Sequence, residues 1–382
     1  MRTHPYIVSH ARIEARIAGR IDTQQLPASC AQSGGKWLAR GTRRCHDGTG
    51  MSGQGQQIFT EALRRCAAQT DDPELAALAD ELADEVAAPL RLAVRGRRGV
   101  GRSATAAALR ADGHSIEPEA RADVRIYVLA EVCKPEDRRA LADGADLVVL
   151  NKADLTGLAR GGPMQRARRQ AEALGAAIGV PVHAFVAPTA LAAADPAVLD
   201  DDLLAALGLL VTEPAQLSSA DDFVTAPHPL PGARRRRLLE ALEPYGIAHA
   251  VVALRETPRA TAAQLRGLLA AVSGLDGLRA AIETAGAAAR YRRIVAACEA
   301  LAARAITDVT TAELLAGDDV VLARMAAAGD VVGADVVGGL DAGGVPSALH
   351  WRRYAAGPVS ALHRDCGLDI ARGALRLTGG RR

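Results

Sequence analysis

The stretch Leu147-Val148-Val149-Leu150-Asn151-Lys152-Ala153-Asp154 decides how the chain is interpreted. Four apolar residues in a row predict a buried strand, and polar residues begin where that strand ends. Only three of the 46 basic residues are lysines, and Lys152 is one of them. The Asp154 carboxylate can accept two hydrogen bonds from adjacent N–H groups, which N1 and N2 of guanine offer and adenine does not. The stretch therefore predicts a guanine-reading loop, in which Asn151 ties the loop to neighbouring backbone and the Lys152 stem lies along the base. A chance tetrapeptide at a strand end is the alternative.

A glycine-rich motif lies upstream of this loop. Residues 90–95 (LRLAVR) predict a buried strand, followed by Gly96-Arg97-Arg98-Gly99-Val100-Gly101-Arg102-Ser103 and a helical run over 104–110. Gly96, Gly99 and Gly101 allow backbone amides to curl round a phosphate, and the helix N-terminus adds partial positive charge. Arg102 stands where such loops carry lysine, and Ser103 is placed to offer its hydroxyl to Mg²⁺. The alternative is a Gly/Arg-rich turn whose glycines serve only the backbone.

The chain between the two motifs favours binding over hydrolysis. Residues 111–122 lead directly to a predicted strand over 123–130, without an Asp-x-x-Gly turn or a recognisable switch threonine. Asp123 stands at the start of that strand, whereas a metal-binding carboxylate belongs at its end. Thr105 and Ser115 are the only nearby hydroxyls. We infer from the sequence that two strands and both switches are lost or shortened.

The α/β pattern continues beyond Asp154. Residues 163–177 predict a helix and residues 180–186 predict a strand, which ends in Ala187-Pro188-Thr189-Ala190-Leu191. We expect this last stretch to form a turn, in which Thr189 and Ala190 close the pocket for the base.

In this order, the segments GRRGVGRS, LVVLNKADL and VPVHAFVAPTAL resemble the TRAFAC-class P-loop GTPases. The region that follows resembles the bacterial dynamin-like GTPases of actinobacteria, on residues 238–247, 265–279, 291–304 and 351–377. The resemblance implies a G domain on a helical bundle, bound GTP or GDP with Mg²⁺, and GTP-driven association at membranes. The fold class we expect is α/β: a reduced P-loop domain with a mostly parallel sheet and flanking helices, plus an α-helical bundle domain.

The charge distribution sets the first fifty residues apart. They carry 8 Lys and Arg against 3 Asp and Glu, a net charge of +5, which leaves −3 for the rest of the chain. We expect residues 1–50 to be disordered, because they show no periodicity. Our hypothesis is that translation begins at Met51; a native peptide from residues 2–40 would contradict it. The alternative is a basic arm that contacts nucleic acid or acidic lipid.

Composition predicts a soluble, cytoplasmic chain with two domains. Six cysteines occur without a C-x-x-C pair, and Cys30 with Cys45-His46 is an incomplete metal-ligand set. The predicted order is the basic segment 1–50, N-terminal helices 51–88, the nucleotide-binding domain 89–200, a mainly helical domain 201–328, a Gly/Val-rich linker 329–345 and C-terminal helices 346–382.

Three features of the later segments are predicted in more detail. Gly246 fits a helix C-cap, and Gly274 separates helices over 260–272 and 275–285. Residues 233–237 (ARRRR) open an amphipathic helix whose arginines form either a solvated face or a phosphate or lipid contact.

The sequence thus predicts a guanine-nucleotide-binding protein with slow or absent GTP hydrolysis. Its expected partners are guanine nucleotide, a second copy or a paralogous GTPase, and a peripheral membrane contact; no nucleic acid is expected. The rival prediction is a pseudo-GTPase scaffold that binds no nucleotide and acts through protein contacts.

Overall fold

The structure, a computed structural model, describes residues 53–157, 161–217, 219–333 and 344–379. The basic segment 1–50, with Cys30, Cys45 and His46, and the Met51 start lie outside these ranges, as does most of the predicted 329–345 linker. The described chain is α/β and divides into two compact units, residues 91–279 and residues 53–90 together with 280–379.

All strands of the described chain lie between residues 91 and 184, and helices precede, separate and follow them. The strands are β1 Arg91–Gly96, β2 Ser115–Ile116, β3 Val124–Ala130, β4 Leu147–Asn151 and β5 Val182–Ala184. The helices up to the end of β5 are α1 Gln54–Gln69, α2 Pro73–Ala87, α3 Arg102–Ala111, α4 Pro135–Ala142 and α5 Gly162–Ile178. Those after β5 are α6 Ala187–Ala194, α7 Asp201–Thr212, α8 Ala220–Thr225, α9 Gly232–Glu256, α10 Ala262–Ser273, α11 Leu275–Ala305, α12 Val309–Ala316, α13 Asp318–Val332, α14 Val345–Ala355 and α15 Ala361–Gly379.

The unit of residues 91–279 is built on a five-stranded sheet in the order β2-β1-β3-β4-β5, with every neighbouring pair parallel. The predicted mostly parallel sheet is therefore confirmed. Every residue of β4 is buried, which explains its uninterrupted apolar run. The strand order reverses between β1 and β3, and in sheets of this kind ligands bind outside the carboxyl ends of the strands at such a point.

Strand β2 is only two residues long and pairs with the start of β1. Its partners are Arg91 and Leu92, and the Glu117 N–H that follows donates to the Leu92 carbonyl at 2.8 Å. Because β2 ends at the amino end of β1, residues 117–123 reach the start of β3 without a crossover helix. The sequence predicted no strand between residues 111 and 122, and β2 is the short strand that the structure has there.

Two glycines show which helix boundaries could be foreseen. Gly274 ends α10 in the left-handed region with φ 85°, and α11 follows at Leu275, as predicted. Gly246 does not cap a helix, because α9 continues to Glu256. A Cβ on Gly246 would lie 2.9 Å from Thr189 Oγ1, so the close approach of α6 and α9 explains this glycine.

Arginines at the start of α9 contact residues of their own unit. Arg235 is buried and donates to the Phe223 and Ala226 carbonyls at the end of α8. Arg237 pairs with Asp200 and Asp202. The buried and paired members thus stabilise local structure instead of forming a purely solvated face.

The second unit is a set of helices from both ends of the described chain around one core. That core contains Phe59, Leu75, Tyr291, Trp351 and Ile370. Helix α13 extends to Val332, so the first residues of the predicted linker are helical. Within the described ranges, no helix is both long enough and apolar enough to cross a membrane.

A buried carboxylate is satisfied completely inside this core. Asp369, 4% exposed, accepts hydrogen bonds from Tyr291 Oη at 2.7 Å, Arg324 Nη2 at 2.8 Å and Arg372 Nη1 at 3.3 Å. Burial, followed by the hydrogen bond to Asp369, raises the pKa of Tyr291. The charge of Asp369 is therefore compensated by donors from three helices.

Candidate functional site

Two loops meet at the carboxyl edge of the sheet in the first unit. One joins β1 to α3 through residues 97–101, and the other follows β4 from Asn151 to Asp154. Since β1, β3 and β4 are parallel neighbours, their carboxyl ends point to the same side. The motifs predicted from sequence are thus brought to one edge, although about 50 residues separate them.

The glycine-rich loop takes a backbone shape that other residues rarely adopt. Gly96, Gly99 and Gly101 have φ values of 152°, 84° and 88°. A Cβ on Gly96 would lie 2.7 Å from the Val128 carbonyl oxygen, so the loop has no room for a side chain there. Helix α3 begins at Arg102 directly after Gly101, and its first amide groups have no acceptor within the helix.

Asn151 links this loop to the rest of the edge. Its side chain is 2% exposed; Nδ2 donates to the Val100 carbonyl at 2.9 Å, and Oδ1 accepts from the Ala187 N–H at 3.0 Å. A Cβ on Gly101 would lie 2.0 Å from Asn151 Nδ2, so the two loops are in direct contact. The predicted tie between Asn151 and neighbouring backbone is confirmed, and it reaches both the glycine loop and the start of α6.

The residues after Asn151 place a carboxylate of which one buried oxygen has no donor within the described chain. Lys152 adopts the left-handed conformation with φ 57° and ψ 38°, and a 3-10 turn follows over Ala153–Leu155. Asp154 is half-buried, and within the described chain its buried Oδ1 atom has no hydrogen-bond partner. Burial raises the pKa of Asp154, against smaller opposite effects of a hydrogen bond from its own backbone N–H and of the Lys152 charge. A buried acceptor left unpaired is unusual, because it loses its bonds to water and gains none.

The glycine loop carries exposed positive charge. Arg98, Arg102 and Ser103 are exposed, and neither Arg98 nor Arg102 has an ion-pair or hydrogen-bond partner in the part of the chain that the structure describes. Arg97 behaves differently, because its Nε donates to Asp137 Oδ1 at 2.6 Å. One loop arginine is thus held by a carboxylate, and two are available to an anion.

Asp137 is a structural partner of the loop that the sequence interpretation missed. It is fully buried and also accepts from Tyr127 Oη at 3.0 Å and from the Lys134 N–H at 2.8 Å. Burial alone would raise the pKa of Asp137, but the hydrogen bonds from Arg97, Lys134 and Tyr127 hold it below its usual value. Burial and the bond to Asp137 raise the pKa of Tyr127 to about 12. The available signal was Pro135 two residues before an aspartate, which is typical of a helix start.

The stretch 187–191 is a helix and not the predicted turn. Helix α6 starts at Ala187, and both Thr189 and Ala190 are completely buried within it. The Thr189 hydroxyl donates to the Leu242 carbonyl in α9 at 3.1 Å. An alanine-rich run with proline near its start favours a helix, which explains the difference. The Thr189 and Ala190 side chains therefore serve packing in this structure.

The hydroxyls that the sequence places between the two motifs lie away from the glycine loop or are buried. Thr105 is completely buried in α3, and the Ser115 hydroxyl donates to Glu117 at 3.0 Å beside β2. Glu117 is bonded at Leu92, which precedes Gly96 by four residues, about 13 Å along a strand. In the described ranges, no group of three or more His, Cys, Asp or Glu side chains is arranged to hold a metal ion. The predicted Mg²⁺ ligand, Ser103, stands on the exposed first turn of α3.

No protein-family model matches the chain, and neither the curated proteins nor the solved structures gave a match. The residues and geometry of this edge are therefore the basis for assigning its function.

Proposed function

We propose that the chain binds a guanine nucleotide at the carboxyl edge of its sheet and hydrolyses it slowly or not at all. The observation that carries this proposal is the buried Asp154 Oδ1 atom without a donor. An unsatisfied buried acceptor costs roughly 1–3 kcal/mol, which a ligand with matching N–H groups would recover. The N1 and N2 atoms of guanine carry two such groups side by side.

The neighbouring residues support the same orientation of the base. Asn151 holds the β4 loop through one hydrogen bond to the glycine loop and one from the start of α6, so Asp154 stands on a fixed backbone. The aliphatic stem of Lys152 can cover one face of a planar base while its ammonium group stays in water. The proposal gives these residues the roles that the Asn-Lys-x-Asp spacing predicts.

The phosphates would lie at the glycine loop. Free amides at the start of α3, together with the unpaired Arg98 and Arg102 side chains, favour an anion there. A guanidinium is broader than an ammonium group, so Arg102 would fit between the outer phosphate oxygens less closely than a lysine would. Ser103 would contribute one ligand to a Mg²⁺ ion that neutralises phosphate charge, and Mg²⁺ commonly keeps water and phosphate oxygens as its other ligands.

Slow or absent hydrolysis is proposed because of the short β2. Its end lies beside Leu92, at the amino end of β1, so it delivers neither a carboxylate nor a switch turn to the glycine loop. The family interpretation, a TRAFAC-class P-loop domain akin to the dynamin-like GTPases, remains part of this proposal and rests on the order of the sequence motifs.

The proposal is tested by titrating the full chain with GDP, ADP and xanthosine diphosphate, alongside Asp154→Asn. Wild type is expected to prefer GDP, and the variant to lose about ten- to a hundredfold of its GDP affinity. The variant should gain affinity for the xanthine nucleotide, because the amide turns one acceptor into a donor that faces the C2 carbonyl of xanthine. Asp143→Asn, which changes an exposed carboxylate of the same unit, is the matched control.

The second candidate is a scaffold that binds no nucleotide. The arginine at position 102 favours it, because phosphate-binding loops carry lysine there. The two-residue β2 also favours it, because β2 brings no switch residue to the glycine loop. Absence of GDP, GTP and xanthosine diphosphate binding by wild type, with or without Mg²⁺, would support the scaffold and contradict nucleotide binding.

A further inference from the structure

Helix α9 contains a local conformation that ordinary helices avoid. Glu243 has φ 54° and ψ 172° and is followed by Pro244, so the helix kinks at this point. A positive φ in a residue other than glycine is costly, and it persists only where the surroundings impose it. Proline explains the break in the helix, but it does not explain a glutamate at the strained position.

Two hydrogen bonds hold the kink in place. The Leu242 carbonyl accepts from the Thr189 hydroxyl at 3.1 Å, and the Tyr245 hydroxyl donates to the Val272 carbonyl at 3.0 Å. Gly246 packs so closely on Thr189 that a Cβ would lie 2.9 Å from its hydroxyl oxygen. Glu243 is therefore placed by contacts to α6 and α10 on either side of it.

The kink lies beside the predicted base loop. Tyr245 packs on the cluster that contains Ala153 and Val186, which flank Asp154 and the start of α6. Glu243 is close enough to interact electrostatically with both Asp154 and Lys152. It is half-buried, and the structure gives its carboxylate no hydrogen-bond donor among the residues it describes.

Two carboxylates thus lie near the same loop, and neither Asp154 Oδ1 nor the Glu243 carboxylate has a donor among the described residues. Burial and the charge of Asp154 raise the pKa of Glu243, as expected for a carboxylate beside another carboxylate. A ligand with several N–H groups on one edge would compensate both. Guanine has three: one on N1 and two on the exocyclic N2 amine, of which Asp154 can accept only one from N1 and one from N2.

We propose that Glu243 is a specificity-determining residue that accepts the remaining N2–H bond and so selects a base with an exocyclic amine. This inference rests on the proposed guanine-nucleotide site and extends it to a residue 89 positions beyond Asp154. The strained backbone at the kink is then explained by the direction in which this side chain must be presented.

The test compares GDP with inosine diphosphate, which lacks the N2 amine, using the full chain. Wild type is expected to prefer GDP, and Glu243→Ala to lower GDP affinity about tenfold while leaving inosine diphosphate affinity unchanged. Glu243→Gly also removes the carboxylate. Because glycine tolerates positive φ, we expect this second variant to fold without the acceptor. Glu240→Ala, an exposed glutamate on the same helix, should leave the ratio of affinities at the wild-type value.

The outcomes distinguish the role of Glu243 from the guanine-nucleotide site on which it rests. GDP binding by wild type with an unchanged ratio in Glu243→Gly would overturn the role of Glu243 and leave the guanine site standing. An equal loss for both nucleotides would likewise overturn it, because a merely structural residue does not distinguish the two bases. Absence of GDP binding by wild type would overturn both.

Discussion

Two carboxylates, one in each compact unit, are treated in opposite ways by their surroundings. Asp369 in the helical unit accepts hydrogen bonds from a tyrosine and two arginines. Asp154 in the sheet unit has a buried oxygen for which the described chain provides no donor. Besides the positive charge of Lys152, the negative charge of Glu243 lies close enough to Asp154 to interact with it electrostatically.

The difference separates residues that hold a fold from residues available to a ligand. A buried charge that is fully hydrogen-bonded stabilises one packing arrangement, and removing it leaves its partners unpaired. A buried charge without a partner lowers the stability of the ligand-free protein, so its presence is better explained by ligand binding. Variants of both carboxylates, and of the loops beside Asp154, test this difference.

The largest effect is expected at Asp369. Asp369→Ala should lower the free energy of unfolding by about 3–5 kcal/mol, because Arg324 and Tyr291 would lose a buried partner. Chemical denaturation measures this, and Asp365→Ala on the exposed side of the same helix should change little. A loss at Asp369 no larger than that of the control would break the comparison.

Gly101→Ala should damage the link between the two loops. The variant carries both a positive φ and a Cβ 2.0 Å from Asn151 Nδ2, so we expect it to destabilise the protein by about 2–4 kcal/mol. Gly99 has a similar φ of 84° but nothing within 4 Å of its Cβ position. Gly99→Ala should therefore cost only about 1–2 kcal/mol. Equal losses in thermal or chemical unfolding would show that contact with Asn151 is unimportant.

Asp154→Asn should move stability and binding in opposite directions. Without nucleotide, the variant should be more stable by roughly 1 kcal/mol at neutral pH, because a neutral amide is less costly to bury than a carboxylate with an unpaired oxygen. GDP affinity should fall in the same variant. Unfolding curves without ligand, set beside titrations, provide both values, and a destabilised variant would place Asp154 with Asp369 as a structural residue.

The same contrast has a pH dependence with a definite sign. The folded protein raises the pKa of Asp154, so the folded state takes up a proton more readily than the unfolded state. The stability deficit of wild type relative to Asp154→Asn should therefore shrink as the pH falls through this raised pKa. GDP affinity should weaken over the same interval, because guanine needs the ionised acceptor. Unfolding and titration series at several pH values measure both trends, and a stability deficit that does not change with pH would contradict this assignment.

The smallest effect is expected at the phosphate end. Arg102→Lys should strengthen GTP binding about threefold, because a compact ammonium group fits between phosphates better than a guanidinium. Arg98→Lys, a change at the other unpaired arginine of the loop, should give no comparable gain. Isothermal titration distinguishes the two variants, and a loss on Arg102→Lys would indicate a forked contact that lysine cannot replace.

Local sequence patterns predicted the parallel sheet and the positions of the two loops at its carboxyl edge. The apolar run before Asn151 forms a wholly buried strand, and the glycines after residue 95 take the positive-φ shapes that the motif requires. These features depend on periodicity and on backbone conformation, both of which are encoded within a few residues.

Features that depend on distant contacts were not predictable. Gly246 is explained by Thr189, 57 residues earlier, and Arg97 by Asp137, 40 residues later. The strained Glu243 could be suspected only from the proline behind it, while its closeness to Asp154 depends on how α9 packs. Such pairs share no local pattern, so the chain must be folded before they can be recognised.

The two-residue β2 has a consequence for timing. In a nucleotide switch, hydrolysis usually ends the GTP-bound state at a rate that the protein sets. Because β2 ends at Ile116, beside Leu92 and four residues short of Gly96, β2 brings no residue for such a step to the proposed site. The lifetime of the bound state would then equal the residence time of the nucleotide. The fraction of the protein that holds GTP would follow the surrounding ratio of GTP to GDP.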